Sequence, residues 1–252
     1  MKLAAVILTR NEQSHIVDCI SSVRFADHIL VFDSLSTDKT VSLAEAEGAQ
    51  VIQHPFENYA SQRNAALSAA APFVDWVLFV DADERVTPAL AAEVREKIVL
   101  PDFAGFRIPR HNYIFGKLTR GAGWYPDYQT RLLRISAAHY DPERQVHELV
   151  ILTGPEGVLI NPFLHYNYQT VAQFHEKQRR YTAYDARILY EQGIRPKPYT
   201  YLLQPLRHFY WRFVTLKGYR DGLHGLHLSA LMAWYELQKY LTLRQILSQQ
   251  GV

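Results

Sequence analysis

The segment from Val77 to Arg85 constrains this chain more than any other, because four consecutive apolar residues run directly into two carboxylates. An apolar run of this length between polar residues predicts a strand that is buried on both faces. Asp81 and Asp83 then lie where the strand leaves the sheet, which is where open α/β sheets bind ligands. Mg²⁺ commonly takes one or two carboxylates together with substrate phosphates. The pair therefore indicates a metal–diphosphate site, although Asp is also common in turns.

Short apolar runs alternate with helical patterns over the first hundred residues, and this alternation predicts an α/β fold with a parallel, doubly wound sheet. After Pro101 the pattern becomes mixed. From Val171 onward it is helical, and the last part of the chain has a stripe of apolar residues at spacings of three and four, which is typical of one face of a helix. The predicted strands lie at 3–8, 28–32, 50–53 and 73–80, and the predicted helices at 16–23, 39–47, 59–70 and from 88, with Asn58 and Thr87 at two helix starts.

Composition is that of a folded protein, since 48% of the 252 residues are hydrophobic and 21% are charged. The single cysteine, Cys19, excludes an intramolecular disulfide and any metal site built from several cysteines. The first apolar run, Leu3 to Leu8, is too short for a signal peptide. No stretch approaches the roughly 20 apolar residues of a membrane-spanning helix. We therefore expect a cytoplasmic protein.

Charge is distributed unevenly along the chain. The net charge is +2, but residues 1–170 carry −5 and residues 171–252 carry +7. The segment Tyr199–Lys217 mixes Arg and Lys with Tyr, Phe and Trp, a combination typical of a segment that lies on a membrane surface. The alternative is a pair of helices packed on the rest of the chain or on a second subunit. Nucleic acid is a poor fit, because the basic residues have bulky apolar neighbours and the overall charge is small.

Further polar residues follow the predicted strands at the same edge of the sheet. Asp33 ends the second strand and would hydrogen-bond a ribose or base, or else begin a run of helix-capping residues. Arg63, near the start of a helix, would reach a diphosphate in bidentate fashion, or else be a solvated surface residue. The residues that end the first strand would contact a nucleotide or form an ordinary polar loop; they are Thr9, Arg10, Asn11 and Glu12.

The order and spacing of these motifs resemble those of the family 2 nucleotide-sugar glycosyltransferases. The resemblance covers residues 1–100 through four motifs, which are Ile7–Glu12, Val31–Thr40, Gln62–Ala65 and Asp81–Glu84. The second half is similar to a narrower branch that contains the lipopolysaccharide core β-1,4-glucosyltransferases. Its motifs are Gly123–Asp127, Arg131–Arg134, Val146–Glu148 and Leu164–Tyr166.

The resemblance implies a GT-A fold, which is a Rossmann-like, mostly parallel sheet flanked by helices. Residues 1–100 would bind the nucleotide sugar, residues 101–170 would bind the acceptor and carry the catalytic groups, and residues 171–252 would form a helical extension. The implied reaction is inverting transfer of a hexose, with glucose from UDP-glucose as the expected donor, to a glycolipid such as the lipopolysaccharide inner core. The alternatives are another polysaccharide or protein acceptor, or a non-catalytic scaffold that binds sugar nucleotides or membranes.

Roles for individual residues also follow from the resemblance. A single displacement needs a base for the acceptor hydroxyl and an electrophile for the leaving diphosphate. Asp83 would hold Mg²⁺ or Mn²⁺, and Asp81 would contact the ribose or the metal, with Ala82 between them in the donor site. His165 would be a further metal contact, or else a packed, hydrogen-bonded histidine.

Two carboxylates compete for the role of base. Glu148 follows His147 at the end of an apolar segment, where the family more usually has two acidic residues. Asp127 lies in a loop of Trp, Tyr and Pro that would instead orient a sugar acceptor. We expect Glu148 to be the base, and the other carboxylate to belong to an acceptor loop or an ion pair.

Overall fold

The computed structural model describes residues 1–141 and 149–250, which fall into two compact units. The first unit consists of Met1–Arg110 and Asp127–His165, and the second of His111–Pro126 and Tyr166–Val252. The functional halves expected from the sequence, with divisions near residues 100 and 170, stay a prediction.

A parallel sheet forms the centre of the first unit. Its order is β3-β2-β1-β4, and the register pairs Thr9 with Asp33 and Leu8 with Asp81. Side chains of β1 and β4 alternate between two buried clusters, so both faces of these strands lie in a core, as the apolar runs predicted. The strands are β1 (Leu3–Thr9), β2 (His28–Asp33), β3 (Gln50–Gln53) and β4 (Trp76–Asp81).

The helices between these strands begin where the sequence predicted. Asn58 and Thr87 cap α3 and α4, and each side chain accepts a hydrogen bond from the backbone amide three residues on. Gly48 follows α2 with a φ of 80°, a left-handed conformation that glycine adopts readily. The four helices are α1 (Ile16–Ser22), α2 (Thr40–Ala46), α3 (Tyr59–Ala70) and α4 (Pro88–Lys97).

Beyond α4 most strand pairs are antiparallel, although β11 runs parallel to β6, so the sheet is mixed and the expectation of a mostly parallel sheet holds for its first half. The order along the sheet is β3-β2-β1-β4-β8-β6-β12-β5, with β7 and β11 also paired to β6; β8 is antiparallel to β4 and β6, and β12 is antiparallel to β5. The short β5 was not predicted. The later strands are β5 (Glu84–Val86), β6 (Gly105–Ile114), β7 (Lys117–Leu118), β8 (Tyr128–Arg134), β9 (Ala138–Tyr140), β10 (Val150–Leu152), β11 (Glu156–Val158) and β12 (Phe163–Tyr168).

The second unit is mainly helical, which confirms the predicted C-terminal helical extension. It contains α5 (Val171–Glu191), α6 (Thr200–Tyr210) and α7 (Gly222–Gln249), and a π-helical turn, Trp211–Thr215, continues α6. A capping box of Thr170 and Gln173 starts α5. Within the described residues, no helix is long and apolar enough to cross a membrane.

Candidate active site

The carboxyl ends of β1, β2 and β4 bring three of the predicted site residues to one edge of the sheet. Thr9 and Asp33 lie opposite each other, and the Thr9 hydroxyl donates a hydrogen bond to Asp33 Oδ1 at 2.9 Å. The Asp33 carboxylate is fully buried and also accepts bonds from the Ser36 amide at 2.8 Å and from Gln53 Nε2 at 3.3 Å. Asp33 is thus a fixed acceptor at the rim, rather than a solvated turn residue.

The loop after β1 is clamped to the loop after β2. Asn11 has a φ of 58°, and its side-chain oxygen accepts a bond from the Thr37 amide at 2.8 Å. The Asn11 amide donates to Ser36 Oγ, and the Glu12 amide donates to Thr40 Oγ1, both at 2.8 Å. Arg10 is exposed. The loop is therefore preformed, while the predicted nucleotide contacts of these residues stay predictions.

Asp81 is held between two guanidinium groups. Its Oδ2 lies 2.5 Å from Arg131 Nη2, and its Oδ1 lies 3.6 Å from Arg63 Nη2. Burial alone would raise the pKa of Asp81, but the charge of Arg131, followed by that of Arg63, lowers this pKa to about 2. Asp81 is therefore ionised at neutral pH, and both of its oxygens face arginines.

Arg63 is not a surface residue, so the solvated alternative is wrong. Its side chain is 5% exposed, and the guanidinium lies over the rings of Phe79 and Tyr140 at 4.9 and 5.8 Å. The stacking aims the guanidinium at Asp81 and holds it there.

No role was predicted for Arg131, Arg110 or Glu84, and the structure places all three in the site. The buried Glu84 accepts a bond from the Asp81 amide at 2.9 Å, and Arg110 lies 3.4 Å from its other oxygen. Burial, and then the charge of Asp81, raise the pKa of Glu84. The signal that could have identified Arg131 is an arginine directly before two apolar residues, Leu132 and Leu133, in a buried strand.

Asp127 joins the same network through Arg110. The Arg110 guanidinium donates to Asp127 Oδ2 from Nε at 2.9 Å and lies 2.7 Å from it at Nη2. Gln129 Nε2 donates to the other oxygen of Asp127 at 3.1 Å. Asp127 is thus a partner in an ion pair. Glu148, the other candidate base, lies outside the described residues.

Asp83, two residues after Asp81, meets His165. The pairing of β5 with β12 places His165 opposite Glu84, and His165 Nε2 lies 3.5 Å from Asp83 Oδ2. His165 is buried, whereas the Asp83 side chain is 22% exposed. Two of the three predicted metal ligands, Asp83 and His165, therefore meet across more than 80 residues of sequence.

The donor chemistry of this pair fits a divalent cation. Carboxylate oxygens suit Mg²⁺ and Mn²⁺, and imidazole is the commonest metal-binding side chain. No cluster of three or more His, Cys, Asp or Glu suited to a metal occurs in the described part of the chain. A cation held by Asp83 and His165 would thus need further oxygens from a bound diphosphate and water.

The residues beneath the site are fixed in the core. Ala82 is buried, and its carbonyl accepts a bond from Arg85 Nη1 at 2.8 Å. Cys19 Sγ lies 3.7 Å from the Asp81 carbonyl oxygen, and burial raises the pKa of this thiol far above its usual range. The thiol therefore takes no part as a nucleophile.

Solved structures give weak likenesses to this chain. Residues 1–349 of TarS from S. aureus are 15% identical, with a TM-score of 0.48 over the whole of this chain and 92% of that one. Glucosyl-3-phosphoglycerate synthase from Mycobacterium tuberculosis, solved with Mn²⁺, UDP-glucose and glycerol 3-phosphate, is 24% identical over 44% of each chain, with a TM-score of 0.36. The family assignment does not depend on either.

Sequence relatives cover most of the chain. The lipopolysaccharide core biosynthesis glycosyltransferase LpsC of Rhizobium meliloti is 28% identical over 237 residues, which are 89% of this chain and 85% of that protein. An uncharacterized glycosyltransferase of Rickettsia bellii is 26% identical over 97% of this chain and 87% of its own length. The model of glycosyl transferase family 2 matches residues 4–142, which include β1 to β4 and the Asp81–Asp83 segment. The chain therefore belongs to glycosyl transferase family 2 and is a glycosyltransferase.

Proposed function

We propose that this glycosyltransferase uses Mg²⁺ or Mn²⁺ to transfer a hexose, glucose from UDP-glucose, onto a cell-envelope glycolipid such as the lipopolysaccharide inner core. The observation that carries the proposal is the meeting of Asp83 and His165 beside Asp81, at the edge where Asp33 also ends its strand. One end of this edge suits a nucleoside, and the other suits a metal-bound diphosphate.

Donor binding would use residues that are already in place. The Asp33 carboxylate would bind the ribose or base, and its bonds from Thr9 and Gln53 together with the clamped loop after β1 fix its position. Asp83 and His165 would hold the cation, which would neutralise charge on the departing diphosphate. Arg63 would supply a second positive group, and Asp81, already paired with two arginines, would keep that group in position.

The reaction would proceed with inversion by one displacement. A base must then take the proton of the acceptor hydroxyl on the face opposite the leaving group. Glu148 stays the proposed base on the resemblance, and the pairing of Asp127 with Arg110 supports this choice. A carboxylate that takes two contacts from one guanidinium is better suited to positioning than to accepting a proton.

The acceptor is proposed from the relative LpsC, whose name places it in lipopolysaccharide core biosynthesis. A glycolipid acceptor is held in a membrane, so peripheral contact of the C-terminal unit with the cytoplasmic face of the inner membrane belongs to the same proposal. A contact with a second subunit through these helices is the alternative.

Thermal unfolding with candidate donors tests the donor and metal proposals together. UDP-glucose, GDP-glucose and ADP-glucose would each be added with and without Mn²⁺. A ligand at 100 times its Kd stabilises the native state by about 2.7 kcal/mol. We expect UDP-glucose with Mn²⁺ to raise the unfolding temperature, and the other donors to raise it less.

The Asp83→Ala variant ties this result to the site. It should abolish sugar transfer and remove the Mn²⁺-dependent part of the UDP-glucose shift, because it deletes the proposed carboxylate ligand. Asp102→Ala, at an exposed aspartate remote in sequence from the motifs, is the matched control. Wild-type turnover in Asp83→Ala would show that Asp83 lies outside the catalytic site.

A further inference from the structure

The segment 192–220 is basic and aromatic, and it contains no acidic residue. It has six Lys or Arg, seven aromatic residues and no Asp or Glu, and it is bounded by Glu191 and Asp221. It begins directly after α5 and covers the whole of α6 and the π-helical turn after α6. This part of the second unit therefore carries positive charge that no Asp or Glu of the same segment neutralises.

One face of α6 and its continuation is apolar and exposed. Leu202, Leu206, Tyr210 and Val214 follow one another at intervals of four, so they share a side of the helix. Leu202 is 64% exposed, Leu206 is 56% exposed and Tyr210 is 61% exposed. Tyr199 and Leu203 extend the same exposed surface. Large apolar side chains at this density mark an interaction surface rather than scattered surface residues.

The opposite face of α6 is fixed to α7. Arg212 Nε donates to His208 Nε2 at 2.8 Å, and Arg212 Nη1 donates to the Ala122 carbonyl at 2.6 Å. His208 Nδ1 lies 3.8 Å from a Glu236 carboxylate, which also takes Lys239 Nζ at 2.7 Å. These contacts hold the helix in one orientation and keep its apolar side outward. Because of these bonds, Arg212 does not add to the exposed positive charge of the segment.

The remaining cations of the segment lie within α6 or close to its ends in sequence, without carboxylate partners. None of them forms an ion pair with Asp or Glu in residues 1–141 or 149–250, and all are exposed. They are Arg195, Lys197, Arg207, Lys217 and Arg220. We call these five cations, together with Tyr199, Leu202, Leu203, Leu206, Tyr210 and Val214, the basic face.

We propose that the basic face lies flat on an anionic lipid bilayer, with the leucines and aromatic rings in the headgroup boundary and the cations against lipid phosphates. An exposed apolar stripe bordered by Lys and Arg is the pattern of helices that lie in a membrane interface. Charge favours this occupant over a second copy of the chain, because a symmetric contact would bring the same positive surface against itself. The inference rests on the proposed function, in which the acceptor is a lipid.

Sedimentation with vesicles tests the basic face without any donor or acceptor. The full chain would be mixed with vesicles of phosphatidylcholine alone, or with vesicles that also contain the anionic lipid phosphatidylglycerol, whose negative surface potential attracts polybasic segments. We expect binding to the anionic vesicles, weakened by added NaCl because salt screens exposed charges. The double variant Leu202→Ser, Leu206→Ser should bind these vesicles at least about tenfold more weakly, because it lacks two apolar side chains that would be buried in the bilayer.

The matched control is Val99→Ser, Ile160→Ser, which removes two other exposed apolar side chains, at 59% and 84% exposure, from the first unit. This control should bind like the wild type. All four positions are exposed, and circular dichroism would verify that each variant is folded.

Three outcomes would overturn the inference. They are no binding to anionic vesicles, equal loss of binding in both double variants, and a dimer in sedimentation velocity that Leu202→Ser, Leu206→Ser converts to monomer while vesicles are not bound. The last result would assign the face to a second copy. Since the donor experiment contains no lipid and this one contains no donor, failure of the membrane inference and failure of the proposed reaction are separate results.

Discussion

At the scale of single residues, Asp81, Asp83 and Asp127 share one network but have different partners. Asp81 faces two arginines, Asp127 faces one arginine, and Asp83 faces a histidine. A carboxylate with guanidinium partners stays charged and fixed. A carboxylate beside an imidazole instead provides, together with the imidazole nitrogen, two ligand atoms for a cation. The partners therefore separate the proposed positioning groups from the proposed metal ligand.

The choice of base is tested by two isosteric variants. Glu148→Gln should leave donor binding intact and lower the rate of transfer by about 10² or more, which is the usual scale for loss of a general base. Asp127→Asn should have a smaller effect on turnover, because Asp127 is paired with Arg110. The measurements are kcat and the donor-induced thermal shift. If Asp127→Asn loses the larger part of kcat and keeps donor binding, the two assignments are reversed.

The sequence located the carboxylates of the site but not their partners. Asp81 and Asp83 stand directly after an apolar run, so a local pattern was enough to find them. Arg131 meets Asp81 through the antiparallel pairing of β8 with β4, and this pairing joins residues 50 positions apart. No local pattern carries that register. His165 was found only through the resemblance, and its meeting with Asp83 required the unpredicted β5.

At the scale of elements, the start of α7 depends on a close approach of two backbones. A Cβ atom on Gly225 would lie 1.9 Å from the Gly218 carbonyl oxygen and 2.8 Å from its carbon. Backbone atoms cannot move aside as a flexible side chain can. Gly225 is therefore required by its surroundings, although it lies inside a helix where glycine is ordinarily unfavourable.

The Gly225→Ala variant should reverse the usual sign of a helical glycine substitution. Alanine in an exposed helix interior is favoured over glycine by about 1 kcal/mol. Here we expect the free energy of unfolding to fall by about 1–3 kcal/mol, the range for inserting atoms into a packed site. Gln249→Ala, an exposed change in the same helix, should change stability by less than about 0.5 kcal/mol. Unfolding temperatures measure both, and a stabilised Gly225→Ala would contradict the packing seen here.

Asp27 links the first strand to α4 and makes part of the stability depend on pH. Its Oδ2 accepts from Arg95 Nη1 at 2.8 Å and from the Leu3 amide at 2.7 Å. The hydrogen bond from Arg95, followed by that from Leu3, lowers the pKa of Asp27 to about 2. The unfolded chain thus binds the proton more readily, so this contribution is complete above the usual pKa of Asp and is lost as the pH falls toward 2.

The Asp27→Asn variant should therefore have a lower unfolding temperature than the wild type at pH 7. The difference should be a few degrees, because the pair is partly exposed and screened by solvent. It should shrink as the pH is lowered from 5 to 2. Asp102→Asn serves as the control at an exposed position. A difference that stays constant down to pH 2 would show that the carboxylate charge does not contribute.

Element boundaries were largely predictable where local chemistry sets them. Asn58 and Thr87 fix the starts of α3 and α4 by capping, and the strand Gln50–Gln53 has the predicted limits. The antiparallel pairing in the second half of the sheet was not predictable, because β8 pairs with β4 and β12 pairs with β5 across some 50 to 80 residues of sequence, and no local pattern specifies these strand partners. Their pairing depends on contacts across the chain.

At the scale of the whole molecule, the division of charge along the sequence matches the division of tasks that we propose. Residues 1–170, with a charge of −5, carry the acidic edge where we propose that a cation and a sugar nucleotide bind. Residues 171–252, with a charge of +7, carry the basic face. The asymmetry was visible in the sequence. The sequence did not show which cations are exposed, since only the structure reveals that Arg212 is bonded within the second unit.

The burial of Cys19 has a practical consequence for spectroscopy. It is the sole cysteine of the chain, and it is packed in the core beneath Asp81 with a thiol that resists ionisation. A cysteine placed at any exposed position would therefore be the single site open to a maleimide dye or nitroxide label in otherwise native protein. Leu202→Cys and Ile160→Cys would report depth in a bilayer and distance from it, with no background from the native thiol.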